Sequence, residues 1–225
     1  MNGLPAPVVI LVSGRGSNLL AILNETRAGR LPIDIRAVIS NNPDAVGLRI
    51  ASAAGVPTEV IDHRAFPERA QFDSALMQAI DRYQPRLVIL AGFMRILGTE
   101  FIRHYAGRLL NVHPSLLPAF KGLDTHARAL AAGTKEHGAS VHFVTNDLDG
   151  GPVIIQAKVP VLSNDTADTL AARVLAEEHR IYPLAIKWAA EGRLTIRNGQ
   201  VLLDGTINPE QGLHPLPERH AEATK

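Results

Sequence analysis

The run Val-Val-Ile-Leu-Val at 8–12 leads directly into Ser13-Gly14-Arg15-Gly16-Ser17-Asn18 and then Leu19-Leu20-Ala21-Ile22-Leu23, and no other feature constrains the fold as much. An unbroken apolar stretch bounded by glycine reads as a strand buried on both faces, which requires other elements above and below it. A strand, a glycine-rich turn and a helix opening together present backbone N–H groups and the positive end of a helix dipole to an anion such as phosphate. Gly14 and Gly16 allow close backbone approach, and Ser17 or Asn18 is placed to cap the helix while meeting the anion. Leu19 stands where a dinucleotide fingerprint needs its third glycine, and no Walker lysine follows. A plain strand-to-helix turn is the alternative.

The chain then repeats this alternation. A helix is predicted over 17–28 and a strand over 35–40, and the turn Asn41-Asn42-Pro43-Asp44 is placed to cap a helix ending near Gly55. A short strand over 58–61, a helix over 68–83 stopped before Pro85, and a buried strand over 86–91 come next, with Gly92 turning the chain. Such alternation predicts an α/β fold of the Rossmann-like kind, a mostly parallel twisted sheet with helices on both faces. Ligands bind at the carboxyl ends of strands in such sheets. From Ala139 the pattern changes: 139–144 and 153–161 flank a turn and read as antiparallel strands added to the sheet. A long helix over 165–190 is predicted to be capped by Asp165 and Thr166 and ended by Gly192, and Asn198-Gly199 marks a hairpin within 194–203. A single domain over 1–207 is expected, with 208–225 a loosely held tail because proline and charge replace apolar periodicity there.

Composition sets the class of protein. With 225 residues, 46% of them apolar, and a formal charge of +1, the chain can bury one large core and shows no bias toward nucleic acid or another polyanion. The absence of cysteine excludes disulfides, thiolate catalysis and zinc–thiolate sites. The start lacks a basic leader, and the apolar run at 8–12 is far shorter than the ~20 residues of a membrane span, so a cytoplasmic protein is expected. His63, His104, His137, His142, His179, His214 and His220 fall into no metal-ligand spacing, and no metal is expected. His142, alternating with apolar neighbours, reads as a structural hydrogen-bonding partner, and His126 is placed on a loop after Pro118.

The segment Leu109-Leu110-Asn111-Val112-His113-Pro114-Ser115-Leu116-Leu117-Pro118 carries the chemistry. In extended backbone, residues i and i+2 point the same way, so Asn111 and His113 can hold two ends of one reacting group. The amide N–H donates to an oxyanion and the imidazole moves a proton. Pro114 and Pro118 stop the strand and stiffen the chain beyond it. The alternative is a strand end whose Asn and His satisfy turn backbone groups. Asp147-Leu148-Asp149-Gly150-Gly151-Pro152 is ordinary turn material, yet a carboxylate brought near His113 on such a loop would favour the charged imidazole and fix its orientation.

Taken in order, these fragments resemble the folate-dependent formyltransferases, and among them the phosphoribosylglycinamide formyltransferases. The resemblance runs from about Val8 to about Leu203 and includes Ala91-Gly92-Phe93-Met94-Arg95-Ile96-Leu97, Thr125-His126, and His137-Gly138-Ala139-Ser140-Val141-His142. It implies a formyltransferase fold and direct attack by the amine of glycinamide ribonucleotide on the formyl carbon of 10-formyltetrahydrofolate. His113 is then the general acid, Asn111 the oxyanion donor and Asp149 the supporting carboxylate. Gly16, Ser17 and Asn18 match the phosphate loop, and Glu178 the acid that binds ribose. Met94, Arg95, Ile96 and Leu97 match the folate wall, whose backbone amides meet the pterin edge, with Arg69 and the loop Thr145, Asn146, Asp147, Leu148 and Asp149 closing over it. Core packing for 94–97 and solvated helix charges for Arg69 and Glu178 are the alternatives. The expected partners are these two small molecules, with the chain a monomer or homodimer. A 10-formyltetrahydrofolate hydrolase, another formyltransferase, or a non-catalytic folate- or nucleotide-binding module remain alternatives, since fold does not fix function. The stretch Ala119-Phe120-Lys121-Gly122-Leu123-Asp124 departs from the pattern and is expected to stand clear of the catalytic atoms.

Overall fold

The computed structural model describes residues 4–206. The predicted tail over 208–225 lies outside the described residues. Strands β1 (Ala6–Val12), β2 (Ile33–Ser40), β3 (Thr58–Val60), β4 (Leu87–Leu90), β5 (Leu109–His113), β6 (Glu136–Phe143) and β7 (Val153–Pro160) form one sheet in the order β3-β2-β1-β4-β5-β6-β7. Pairing is parallel from β3 through β5 and antiparallel for β6 and β7. A separate hairpin, β8 (Leu194–Arg197) with β9 (Gln200–Leu203), turns at Asn198-Gly199 as its sequence predicts.

The helices are α1 (Ser17–Arg27), α2 (Val46–Ala53), α3 (Arg69–Asp81), α4 (Thr99–His104), α5 (Thr125–Ala131) and α6 (Ala167–Ala190). They cover both faces of the sheet, which is why β1 and β4 are apolar throughout. Val8, Ile10 and Val12 face one core with Leu19, Ile22, Ile181 and Trp188 of α1 and α6. Val9 and Leu11 face the other with Phe72, Leu76 and Phe101 of α3 and α4. Each fully buried side chain of this size contributes roughly 1.5–3 kcal/mol. Strand order reverses between β1 and β4, so their carboxyl ends, Ser13 and Gly92, border the crevice where such sheets bind ligands.

Several local expectations are corrected. The sequence pattern does not show α4 and α5, which are six and seven residues long and too short for a full apolar period; His126 therefore sits on a helix and not on a loop. Neither Ser17 nor Asn18 caps α1: Gly16, in the left-handed region at φ 76, is the cap residue, and no side chain bonds the helix end. The turn at 41–44 does not cap α2 either, because Asn42 accepts from Asp44 within the turn and Ala45, which has no capping side chain, is the residue before the helix. At α6 the capping box is reciprocal between Thr166 and Thr169, while Asp165 pairs with Arg173. α6 continues through Pro183, which supplies no N–H. Burial of Ile181, Tyr182, Ala185, Ile186 and Trp188 outweighs that loss.

Candidate active site

Asn111 and His113 occupy alternate positions at the carboxyl end of β5, on one side of the strand. Asp149 arrives on the loop between β6 and β7, itself in the left-handed region at φ 48. Gly151 makes this loop possible by its size, since a Cβ there would lie 1.8 Å from the carbonyl oxygen of Phe143. Asp149 Oδ2 comes to 3.4 Å from His113 Nδ1, with the two side chains only 10% and 7% exposed. The other imidazole nitrogen lies 3.0 Å from the carbonyl oxygen of Phe120. A carbonyl only accepts, so Nε2 carries a proton. Both ring nitrogens thus face acceptor oxygens, and the ring can hold a proton on each without leaving either unpaired.

The loop at 119–124 is not clear of these atoms, contrary to expectation. Phe120 supplies the carbonyl against His113, and the Gly122 N–H donates to Asp149 Oδ2 at 2.9 Å. Lys121 pairs with Asp147 at 2.9 Å, so this loop clasps the one that bears Asp149. The Phe120 carbonyl thus occupies the hydrogen-bonding direction of His113 Nε2.

His142 lies beside this group and has a defined tautomer. Its Nδ1 is 2.9 Å from the carbonyl oxygen of Phe143 and so donates, which leaves Nε2 as an acceptor for the Asn111 amide at 3.3 Å. Burial pushes the His142 imidazole below its ordinary range, against opposing contributions from the Phe143 carbonyl and Asp149. A neutral His142 fixes which end of Asn111 is the donor. The structural hydrogen-bonding role read for His142 is what the geometry shows, and its partner is a proposed catalytic residue.

On the other side of the crevice, Gly16 is held where a Cβ would lie 2.7 Å from the Gly47 Cα, so α2 packs directly on the glycine-rich turn. Asn18 does not face outward. Its Nδ2 donates to Glu178 Oε2 at 2.7 Å, a contact across 160 positions of sequence that joins α1 to α6. Glu178 is buried, which raises its pKa, while the Asn18 hydrogen bond and the charge of Arg15 act in the opposite direction. The structure therefore brings Glu178 to the start of α1, beside the glycine-rich turn.

The segment 94–97 divides. Met94 and Ile96 are 67% and 64% exposed and face solvent, whereas Leu97 is buried in the core, where the packing alternative describes it. The Met94 N–H is already bonded to Ser13 Oγ, so it is not free for a ring edge. Arg95 lies over the Phe72 ring, and the Gly98 N–H donates to Asp73, so α3 buttresses this segment. Arg69 is the exposed first residue of that helix, and Asn146 and Leu148 are exposed on their loop. Thr145 bonds within its own loop.

Ser13, Phe120, Gly122 and the role of His142 toward Asn111 were not read from sequence as parts of the site. Two of them act through backbone atoms, which leave no mark on residue type. Among the described residues no three His, Cys, Asp or Glu side chains converge as metal ligands, and no helix is long and apolar enough to cross a membrane.

Residues 6–186 match the formyl transferase family. The phosphoribosylglycinamide formyltransferase of Escherichia coli (strain K12) is 53% identical over 205 residues, covering 91% of this chain and 97% of that protein. The structure of phosphoribosylglycinamide formyltransferase from Coxiella burnetii superposes with a TM-score of 0.88 at 54% identity, over 95% of this chain and all of the other. A formyltetrahydrofolate deformylase from Pseudomonas putida shares the fold at a TM-score of 0.80 and 31% identity, covering 88% of this chain and 70% of that one. Sequence, fold and the geometry at the end of β5 agree, and the chain belongs to the formyl transferase family.

Proposed function

We propose that this enzyme transfers the formyl group of 10-formyltetrahydrofolate to the amine of glycinamide ribonucleotide, a step of purine biosynthesis. The observation that carries this reading is the convergence of Asn111, His113 and Asp149 across the crevice from a glycine-rich helix start backed by Glu178. The amine attacks the formyl carbon, and the carbonyl electrons move to oxygen. The Asn111 N–H that His142 leaves free donates to that oxyanion. The tetrahedral intermediate collapses by breaking the bond from carbon to the folate nitrogen, which takes a proton from His113 as it leaves, while the amine loses one. Asp149 holds the charged imidazole. No covalent enzyme intermediate and no metal are needed. Backbone N–H groups at Gly16, Ser17 and Asn18 take the phosphate and Glu178 the ribose. Met94 and Ile96, with Arg69, Arg95 and the loop 145–149, border the folate.

The likeness to a deformylase favours one second reading, hydrolysis of the same formyl donor. Incubating the protein with 10-formyltetrahydrofolate, with and without glycinamide ribonucleotide, separates the two. Tetrahydrofolate release that depends on the acceptor supports transfer, and equal release without it makes the protein a hydrolase.

A further inference from the structure

The Ser13 hydroxyl ties together the carboxyl ends of three parallel strands. It lies just after β1, donates to Asn41 Oδ1 at 2.5 Å just beyond β2, and accepts the Met94 N–H at 2.7 Å just beyond β4. The directions are fixed by chemistry. An amide oxygen only accepts, and 2.5 Å is an O–H···O distance, too short for an N–H donor, so the hydroxyl proton points to Asn41. The oxygen lone pairs are then left for Met94. The backbone adds a second tie, the Ser13 N–H donating to the Gly92 oxygen at 3.1 Å. Asn41 is itself buried, and the other end of its side-chain amide, Nδ2, lies 3.2 Å from His63 Nδ1, so the acceptor does not swing freely.

The two segments that this hydroxyl joins give the contact its consequence. Ser13 is the residue before the glycine-rich turn that leads to Gly16, Ser17 and Asn18, and Met94 begins the exposed segment that runs to Ile96. We propose that Ser13 is a positioning residue that sets the spacing between the two substrate sites, holding the phosphate turn and the folate wall through one hydroxyl. The inference rests on the site assignments of the proposed function. It assigns Ser13 no contact with either substrate and no part in proton transfer. Removing the hydroxyl strands the Met94 N–H and the Asn41 oxygen together and leaves the backbone bond from Ser13 to Gly92 to join the two walls, so their spacing loosens and both substrates lose preformed contacts that are equal in ground and transition states. Such a loss raises KM and spares kcat.

The test compares Ser13→Ala, Ser13→Thr and Ile96→Ala with the parent in steady-state formyl transfer, varying each substrate, alongside thermal melting. Ser13→Ala should raise the KM of both the folate and the ribonucleotide by about tenfold, roughly the worth of one hydrogen bond, with kcat nearly retained. Ser13→Thr, which keeps the hydroxyl, should restore both. A shift in only one KM, a fall in kcat alone, or a lower melting temperature with both KM values unchanged overturns the proposal. Ile96→Ala separates it from the underlying assignment. If Ile96→Ala leaves the folate KM unaltered, the folate wall is misplaced; if it raises that KM while Ser13→Ala does not, the wall stands and the role of Ser13 fails.

Discussion

Replacing Asp149 by Asn changes charge while leaving shape and hydrogen bonds almost intact, and the structure shows why. Asp149 Oδ2 accepts from the Gly122 N–H and faces His113 Nδ1, while Oδ1 lies 3.8 Å from His142 Nε2. That nitrogen is an acceptor, because His142 Nδ1 donates to the Phe143 carbonyl. An asparagine can direct its oxygen to Gly122 and His113, and its NH₂ replaces a carboxylate oxygen that lies 3.8 Å from His142 Nε2 and makes no hydrogen bond there, so the existing contacts are kept and the fold should melt within a few degrees of the parent. The charge is lost. Two unit charges 3.4 Å apart attract by ~5 kcal/mol at an effective dielectric of about 20. The amide dipole recovers part of this, and the remaining ~3–4 kcal/mol corresponds to a ~10²–10³-fold fall in kcat. Steady-state kinetics with each substrate varied, together with thermal melting, measure both sides of the argument. The expected result is a low kcat with both KM values and the melting temperature close to the parent. A kcat within about threefold of the parent would refute the charge-support role and leave Asp149 as a turn residue held by Gly122. Asp149→Ala is the contrast: it also removes the acceptor for Gly122 and should lose about 1–3 kcal/mol of stability.

Two further outcomes concern buried groups. Tyr182 Oη lies 3.0 Å from both the Leu90 and the Leu110 carbonyl oxygens, so Tyr182→Phe should cost about 1–3 kcal/mol, read as a melting temperature lower by roughly 2–4 °C per kcal/mol, and an unchanged melting temperature would mean that these carbonyls need no such donor. Burial, with smaller contributions from the neighbouring His126 and His113, pushes the His137 imidazole down from 6.5 to about 4. A depressed pKa in the folded state gives stability that is present above 6.5 and lost as pH falls through about 4, a loss on the order of 3 kcal/mol, so denaturant titrations of the parent should weaken over that window and those of His137→Gln should weaken less.

Much of this protein is written locally. Apolar runs at 8–12 and 87–91, short and punctuated by glycine and proline, read as strands buried on both faces, so the parallel sheet and the position of its crevice come from short-range pattern. Asn111 and His113 share one side of a strand end because the strand period is two. Glycine before a helix marks a turn with exposed helix N–H groups for the same kind of reason. Tertiary structure decided the rest, and in each case the cause is a contact between segments distant in sequence or an atom common to all residues. Asn18 meets Glu178 across 160 positions, and that pairing takes its side chain away from the helix cap it was predicted to form. The carbonyl of Phe120 and the N–H of Gly122 complete the surroundings of His113 and Asp149, but backbone groups are the same in every residue and carry no sequence signal. Leu97 turns into the core while Met94 and Ile96 stay exposed, because the Gly98 N–H is anchored to Asp73 on α3. Pro183 sits inside α6 because the apolar face around it is buried against the sheet, an energy that local propensity does not contain.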